Sequence, residues 1–378
     1  DDFIRTTEKR HTDTVKNVLD ILFKNKDIYP DKYSGWYCTP CETFWTDSQI
    51  ADNLCPDCKR PVEKIQEENY FFRLSKYQDW LLDYVRKHPN FIRPASRYNE
   101  VLSFLQNNKL LDLCVSRPKQ RLSWGIELPF SPDHVTYVWF DALINYISAV
   151  GFGYDQEKFK KYWPADLHLI GKDILRQHAV IWPIILKALG LEMPRMIFAH
   201  GWWMVGEDKM SKSRGNVVSP LGMVEKYGID TYRYFLLRDV PFGLDGSFSD
   251  AAIIKRKNSD LANDFGNLIH RTATMVEKYF SGSLPETGEI GHFPLKAECD
   301  KLENELRQAV DNIDFSASLD KIWLVINQAN KFIEETKPWN LLKEDRKQEL
   351  DSFILVLVYA VRRISQSLSA FMPKACAL

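Results

Sequence analysis

Net charge is the first thing this chain lacks: 50 Lys and Arg residues stand against 51 Asp and Glu in 378 residues. No global basic field attracts a polyanion, so any contact with nucleic acid must come from local patches. Long apolar runs are equally scarce. The longest, Phe353 to Val361, is too short to cross a bilayer, and no membrane role is expected. The opening Asp1-Asp2-Phe3 has none of the pattern of a secretory signal, so no targeting segment is expected among these residues. Internal repeats and low-complexity stretches are missing as well. Cysteine is thin: of 7 residues, four fall in paired spacing and three are scattered. That argues against a disulfide framework and suits a reducing compartment with a metal site. Cytoplasm is the expected location, with the mitochondrial matrix as the alternative.

An apolar content of 45% over this length is enough for a large core and for two or three domains. Val15, Val18, Leu19 and Leu22 form a 3.6-residue stripe that predicts a helix over Thr7 to Lys26. Tyr33 to Val62 is rich in turn residues and short of periodicity, which predicts a small loop-dominated insert in need of a staple. A helical pattern over Leu74 to Lys87 comes next, then a proline-punctuated region to Pro132. Beyond it, strand and helix patterns alternate. Val135 to Phe140, Leu167 to Ile170 and Met196 to Ala199 read as strands, and Ala142 to Val150 and Ile174 to Leu189 as helices. That interval predicts an α/β fold with a parallel, Rossmann-type sheet. After Ser249 the patterns are helical, at Ser249 to Phe280, Leu295 to Asn312, Ser316 to Glu335 and Lys347 to Phe371, which predicts an all-α bundle.

Four constellations carry chemistry. Cys38-x2-Cys41-x13-Cys55-x2-Cys58 can present four thiolates to one zinc ion and leave no open position, so the expected site is structural; unmetallated thiols in a remnant knuckle are the alternative. Lys209-Met210-Ser211-Lys212-Ser213, flanked by Gly206 and Gly215, offers two ammonium groups and two hydroxyls on a glycine-hinged loop that can close over a polyphosphate. Charge building on a departing pyrophosphate would be stabilised there more than the ground state is. The junctions Trp139-Phe140-Asp141-Ala142 and Gly171-Lys172-Asp173-Ile174 fall where strands meet helices, the edge at which open parallel sheets bind ligands. Gly171 admits close backbone approach, Asp173 suits a ribose hydroxyl, and Ile174 and His178 share one helix face. Finally, Asn263, Asn267 and Arg271 line up opposite an expected buried stripe of Leu261, Phe265, Leu268 and Val276. Amides and a guanidinium fit base edges, and Trp339, fixed by Pro338, offers a stacking plane for an unpaired base. The bland readings are a packing histidine, a core tryptophan and a solvated helix face.

In order and detail these segments resemble the methionyl-tRNA synthetases. Lys209 to Ser213 matches the second signature of class I aminoacyl-tRNA synthetases. Tyr37-Cys38-x2-Cys41-Glu42-x-Phe44, Tyr137 to Ala142, Gly171 to Ile174 and Arg214-Gly215-Asn216 extend the likeness. The resemblance implies a ligase that activates L-methionine with ATP and Mg2+ and transfers it to tRNA(Met). It implies that Trp139, Ala142, Tyr146, Ile174 and His178 line the methionine pocket and that Gly171 and Asp173 contact the adenosine. Lys209, Ser211 and Lys212 would serve the triphosphate, with Lys209 and Lys212 catalytic. Asn267, Arg271 and Trp339 would read the anticodon, with Asn263 nearby. The implied segments are 1–32, the end of a first Rossmann half; 33–130, a connective insert with the zinc knuckle; 131–205, the second Rossmann half; 206–248, the lysine loop and stem-contact region; and 249–378, the anticodon-binding helices.

This chain departs from the resembled pattern at Glu127, where proline is usual, and at Gln177, where an aromatic is common. The family's first signature, His-Ile-Gly-His, does not occur in residues 1–378. These residues alone are therefore expected to be inactive in adenylate formation. The alternative function is a non-catalytic tRNA-binding module.

Overall fold

In the computed structural model, α1 (Lys9–Lys24) forms because Val15, Val18, Leu19 and Leu22 recur on one face and are buried together. The structure describes residues 1–378 except 42, 46–48, 57, 207, 211–215 and 378. The side chains of residues 33, 34, 41, 43, 44, 65–67, 208 and 209 are also outside the description. The chain divides into two units, Asp1–Ala199 and His200–Leu378.

In the first unit, β1 (Ile28–Cys38) turns through β2 (Thr43–Trp45) and returns as β3 (Glu63–Phe72). The β1–β3 ladder is antiparallel and runs in register from Ile28↔Phe72 to Tyr37↔Glu63. The ladder takes in the start of the loop-dominated insert expected at Tyr33 to Val62, whereas between Cys38 and Glu63 the described residues are mostly turn and loop around the short β2. The ribbon's middle carries Pro30, Asp31 and Lys32 exposed to solvent, so no apolar alternation marks it as strand. Its root, Ile28 with Phe72, is buried in the main core; its tip carries Cys38.

The chain continues through α2 (Gln78–Lys87), β4 (Ile92–Arg93), α3 (Ala95–Asn107) and β5 (Leu113–Cys114). A small antiparallel sheet comes after them, of β6 (Ser116–Pro118), β7 (Glu127–Leu128) and β8 (Ser131–Thr136), in the order β6-β8-β7. The expectation of a parallel-sheet strand at Val135 to Phe140 is thus corrected twice. The strand ends at Thr136 and is antiparallel, and Val138 to Leu143 is helix, α4, with α5 (Asn145–Ser148) directly after it. Local β-propensity yields there to tertiary anchoring: Asp141 Oδ1 lies 2.5 Å from Nε2 of the fully buried His11 on α1. After α6 (Gln156–Tyr162), β9 (His168–Gly171) and β10 (Ile197–His200) join β4 in a three-stranded sheet of order β4-β10-β9, with β10 parallel to β4 at Ile197↔Ile92. The helix expected over Ile174 to Leu189 is not uniform. A tight turn at Lys172–Ile174 leads into a wide π-helical turn at Gln177–Ile181, and only then into α7 (Trp182–Leu189). Fully buried Trp182, Phe140 and Leu19 sit in one core that ties α1, α4 and α7 together.

In the second unit, β11 (Trp203–Val205) and β12 (Asp208–Lys209) form an antiparallel hairpin, and β11 also pairs in parallel with β13 (Gly246–Ser247). Gly206, directly after β11, has φ 64°, a conformation that costs glycine nothing. The helices are α8 (Pro220–Tyr227), α9 (Ile229–Arg238), α10 (Asp250–Arg256), α11 (Asn267–Phe280), α12 (Pro294–Asp311), α13 (Phe315–Thr336), α14 (Pro338–Lys343) and α15 (Lys347–Leu368). Ser219, Ser249 and Asp314 cap α8, α10 and α13 by accepting from Gly222, Ala252 and Ala317. Between α10 and α11 the backbone widens into a π-helical stretch, Lys257–Gly266. The buried stripe there is Phe265, Leu268, Thr272 and Met275, while Leu261 and Val276 are only partly buried. Both still pack against the core, at its margin. Among the described residues, no helix is long and apolar enough to cross a membrane.

Candidate functional site

Near the carboxyl edge of β9, five of the residues singled out from sequence lie on four elements of the first unit. Trp139 and Ala142 lie on α4 and Tyr146 on α5, all partly buried. Ile174 ends the tight turn after β9, and His178 lies on the π turn, 3% exposed. Tyr146 Oη is 2.7 Å from His178 Nε2, and His178 Nδ1 is 2.9 Å from the Ile174 carbonyl. A carbonyl only accepts, so His178 Nδ1 carries the proton and Nε2 accepts from the Tyr146 hydroxyl. Burial pushes the Tyr146 hydroxyl up to about 12 and holds His178 below its ordinary range. Both groups are neutral near pH 7, and the wall they form is aromatic, rigid and uncharged. Gly171 is the last residue of β9; Asp173 comes next but one on the tight turn, exposed.

Sequence reasoning passed over the aromatic layer behind this wall. His168, 4% exposed, stacks on the Tyr146 ring at 4.1 Å and 30°. Trp182 donates from Nε1 to His168 Nε2 at 3.1 Å, and Trp163 flanks Trp182 edge-on at 6.1 Å. The available signal was the alternation in Leu167-His168-Leu169-Ile170, where the histidine takes an inward position on the strand. Arg117 was also passed over. It is buried, with its guanidinium 4.5 Å from the Tyr137 ring and Nη1 donating to the Ser116 carbonyl at 2.8 Å.

At the ribbon tip, Cys38, Cys55 and Cys58 converge so that their ligand atoms lie within 4.8 Å of one another, with Cys38 Sγ 3.4 Å from Cys58 Sγ. Thiolates bound to zinc at about 2.3 Å in a tetrahedron stand about 3.8 Å apart, so the donor set fits the ion. The tip's turn is tied by Cys55 N to the Arg60 carbonyl at 2.8 Å and Lys59 N to the Cys55 carbonyl at 2.9 Å. The Cys41 side chain lies outside the described residues.

In the second unit, Lys209 ends the hairpin opposite Met204. Its side chain, and all of Ser211 and Lys212, lie outside the described residues. Asn263 sits on the π stretch and Asn267 opens α11, both exposed. Arg271 Nη1 pairs with Glu334 Oε1 at 2.7 Å. Glu334 is near the end of α13, which passes through Lys337 (φ 50°) and Pro338 to Trp339, 41% exposed. Arg271 is thus joined to the helix that leads into Trp339, while the described contacts do not bring Asn263 or Asn267 to either.

The family model described as tRNA synthetases class I (M) matches residues 1–65 and 60–273. Methionine–tRNA ligase of Caldanaerobacter subterraneus subsp. tengcongensis is 51% identical over 378 residues, covering 99% of this chain and 59% of that protein. The ligase of Clostridium tetani is 50% identical over 380 residues, with the same coverage of 99% and 59%. The chain therefore spans about three fifths of the length of the curated relatives it matches. A crystal structure of Mycobacterium tuberculosis methionyl-tRNA synthetase bound by methionyl-adenylate matches with a TM-score of 0.92 at 43% identity, covering 100% of this chain and 76% of that one. With a family model over most of its length and a solved relative of this likeness, the chain belongs to the methionyl-tRNA synthetases of class I.

Proposed function

We propose that the protein to which these residues belong activates L-methionine with ATP and Mg2+ and transfers it to tRNA(Met). The observation that carries this reading is the likeness to a solved structure bound by methionyl-adenylate. In the first step a methionine carboxylate oxygen attacks the α-phosphorus of ATP, the bond to the bridging oxygen breaks, and pyrophosphate leaves. In the second, the terminal ribose hydroxyl of the tRNA attacks the activated carbonyl and AMP leaves.

Trp139, Ala142, Tyr146, Ile174 and His178 hold the methionine side chain in this reading. The neutral Tyr146–His178 pair supports it, since a thioether is favoured by an aromatic, uncharged wall and a charged side chain is not. Gly171 and Asp173 take the adenosine, by close backbone approach and by a carboxylate on the ribose. Lys209 and Lys212 place ammonium charge on the triphosphate, with Ser211 beside them, and stabilise the pyrophosphate as its charge grows. Asn263, Asn267 and Arg271 contact anticodon bases by hydrogen bonding and Trp339 by stacking. Cys38, Cys41, Cys55 and Cys58 hold a zinc ion that folds the ribbon tip. A set of thiolate ligands is best kept in a reducing compartment, and we place the protein in the cytoplasm.

The test is methionine-dependent exchange of pyrophosphate into ATP by the full-length protein, and then charging of tRNA(Met). Robust exchange with methionine, and little with leucine, is expected. tRNA binding with no exchange would leave the non-catalytic module as the correct function.

A further inference from the structure

We propose that His168 is a positioning residue for methionine, acting as a flat plate that fixes the ring of Tyr146. The inference rests on the reading of Tyr146 as part of the methionine site and deepens it. Tyr146 is held most closely at two points, with the Trp182 ring a looser, tilted neighbour at 5.9 Å. Its hydroxyl donates to His178 at 2.7 Å, and its ring face lies on His168 with centroids 4.1 Å apart and planes 30° from parallel. The hydroxyl contact alone leaves the ring free to swing about the O–H···N axis. The stack removes that freedom.

The plate is itself fixed. Trp182 is fully buried and its indole N–H must find an acceptor; it finds His168 Nε2 at 3.1 Å. That bond leaves the proton of the neutral ring on Nδ1, and the backbone of Leu167 is a further hydrogen-bonding partner of the ring. On the strand itself, His168 N donates to the Met196 carbonyl at 2.8 Å. Burial, with His178 nearby, pushes the imidazole down to about 3, so the plate carries no charge near pH 7. Phenylalanine would fill the same space but would leave the Trp182 indole without its acceptor. An aliphatic side chain would leave the indole in the same state and would also remove the aromatic face. This difference separates positioning from packing.

Two variants of the full-length protein, His168→Phe and His168→Leu, isolate the stack, because both lose the acceptor and only one keeps a ring. Each is assayed for the KM of methionine and of ATP in pyrophosphate exchange, and for its melting midpoint. The expected result is a methionine KM about 3- to 10-fold higher in the leucine variant than in the phenylalanine variant, the worth of one aromatic pair. The ATP KM should be the same in both, and both midpoints should fall together. In a Tyr146→Ala background the difference between Phe and Leu at 168 should vanish. Equal methionine KM values for the two variants, a methionine effect that persists without Tyr146, or an ATP KM that rises in parallel would each overturn the role of His168. If Tyr146→Ala alone leaves the methionine KM unchanged, the methionine-site reading of Tyr146 is wrong, and the inference falls with it. If Tyr146→Ala raises the KM while Phe and Leu at 168 do not differ, only the inference fails.

Discussion

The tip of the β1–β3 ribbon and the helical unit meet the same requirement with opposite means. The tip buries Cys38, Cys55 and Val62, with Trp36, Trp45, Ile50 and Cys58 packed partly around them. The helical unit buries Leu319, Ile326, Phe353, Leu357, Ile364 and many more in one continuous core. Few apolar side chains cannot offset the conformational entropy of a loop, so the tip needs a cross-link. The helices supply stability from their own packing and carry no such dependence. In the proposed reading, one chain contains a region whose folding is tied to a metal and a region whose folding is not.

The sharpest way to break that contrast is to remove the proposed zinc. Structural zinc contributes on the order of 10–16 kcal/mol of apparent binding energy in small thiolate sites. Chelation, or Cys55→Ser, should therefore expose the amides of Cys55 and Lys59 to rapid hydrogen exchange while α13 and α15 keep their protection. Equal loss of protection in both regions would end the distinction, and metal-free purified protein with all four thiols freely titratable would remove zinc from the account. Next in size is Lys212→Ala in the full-length protein. Adenylate formation should slow by about 10²–10³-fold, as when one stabilising group at a developing charge is lost, with methionine binding unchanged. An unaltered exchange rate would take Lys212 out of the chemistry.

A third test stays within the helices. Loss of one base–aromatic stack costs about 1–3 kcal/mol, so Trp339→Ala should raise the KM for tRNA by roughly one to two decades while methionine activation stays normal. Equal impairment of both reactions would make Trp339 a core residue, and impairment of neither would move anticodon recognition elsewhere. The smallest effect is one of pH. The folded first unit keeps His168 neutral down to about pH 3, while the unfolded chain protonates it near its ordinary value of 6.5. Between those limits the unfolded state binds the extra proton, so acid favours unfolding and the stabilisation present above pH 6.5 is lost progressively toward pH 3. His178, also held low by burial, acts in the same direction. The denaturant midpoint of the first unit should fall between about pH 7 and about pH 5, by less in His168→Phe. The same fall in both proteins would show that His168 does not contribute.

The features that could be read in advance came from repetition. Helices α12, α13 and α15 lie within a few residues of their predicted limits, because their apolar stripes hold one period over many turns. The cysteine spacing pointed to a cluster that the fold assembles from Cys38, Cys55 and Cys58. Illegible features were those decided by distant partners. Tyr137-Val138-Trp139-Phe140 has the composition of a strand, yet it enters a helix whose Asp141 is tied to His11. The ribbon's polar middle carried no alternation. His168 became visible only when the fold laid its ring on Tyr146, a contact no local pattern encodes. The Lys212 loop was legible as a motif, and its role is for the exchange assay to decide.

The π-helical stretch Lys257–Gly266 sets the phase of α11. Asp260 is clamped there by the Tyr234 hydroxyl at 2.7 Å, by Ser259 at 2.6 Å and by Arg256 at 3.2 Å. Each residue of an α-helix advances the side-chain direction by about 100°, and a π turn holds one residue more than an α turn. Removing one residue and rewinding one π turn as α-helix would therefore nearly cancel, whereas rewinding the stretch with its length unchanged would bring α11 to its partners out of step. Asn267 and Arg271 would be carried off their present face, and the Arg271–Glu334 pair would break without either residue being changed. The winding of the backbone between Arg256 and Asn267 is thus a dial for the direction in which α11 presents its polar side chains.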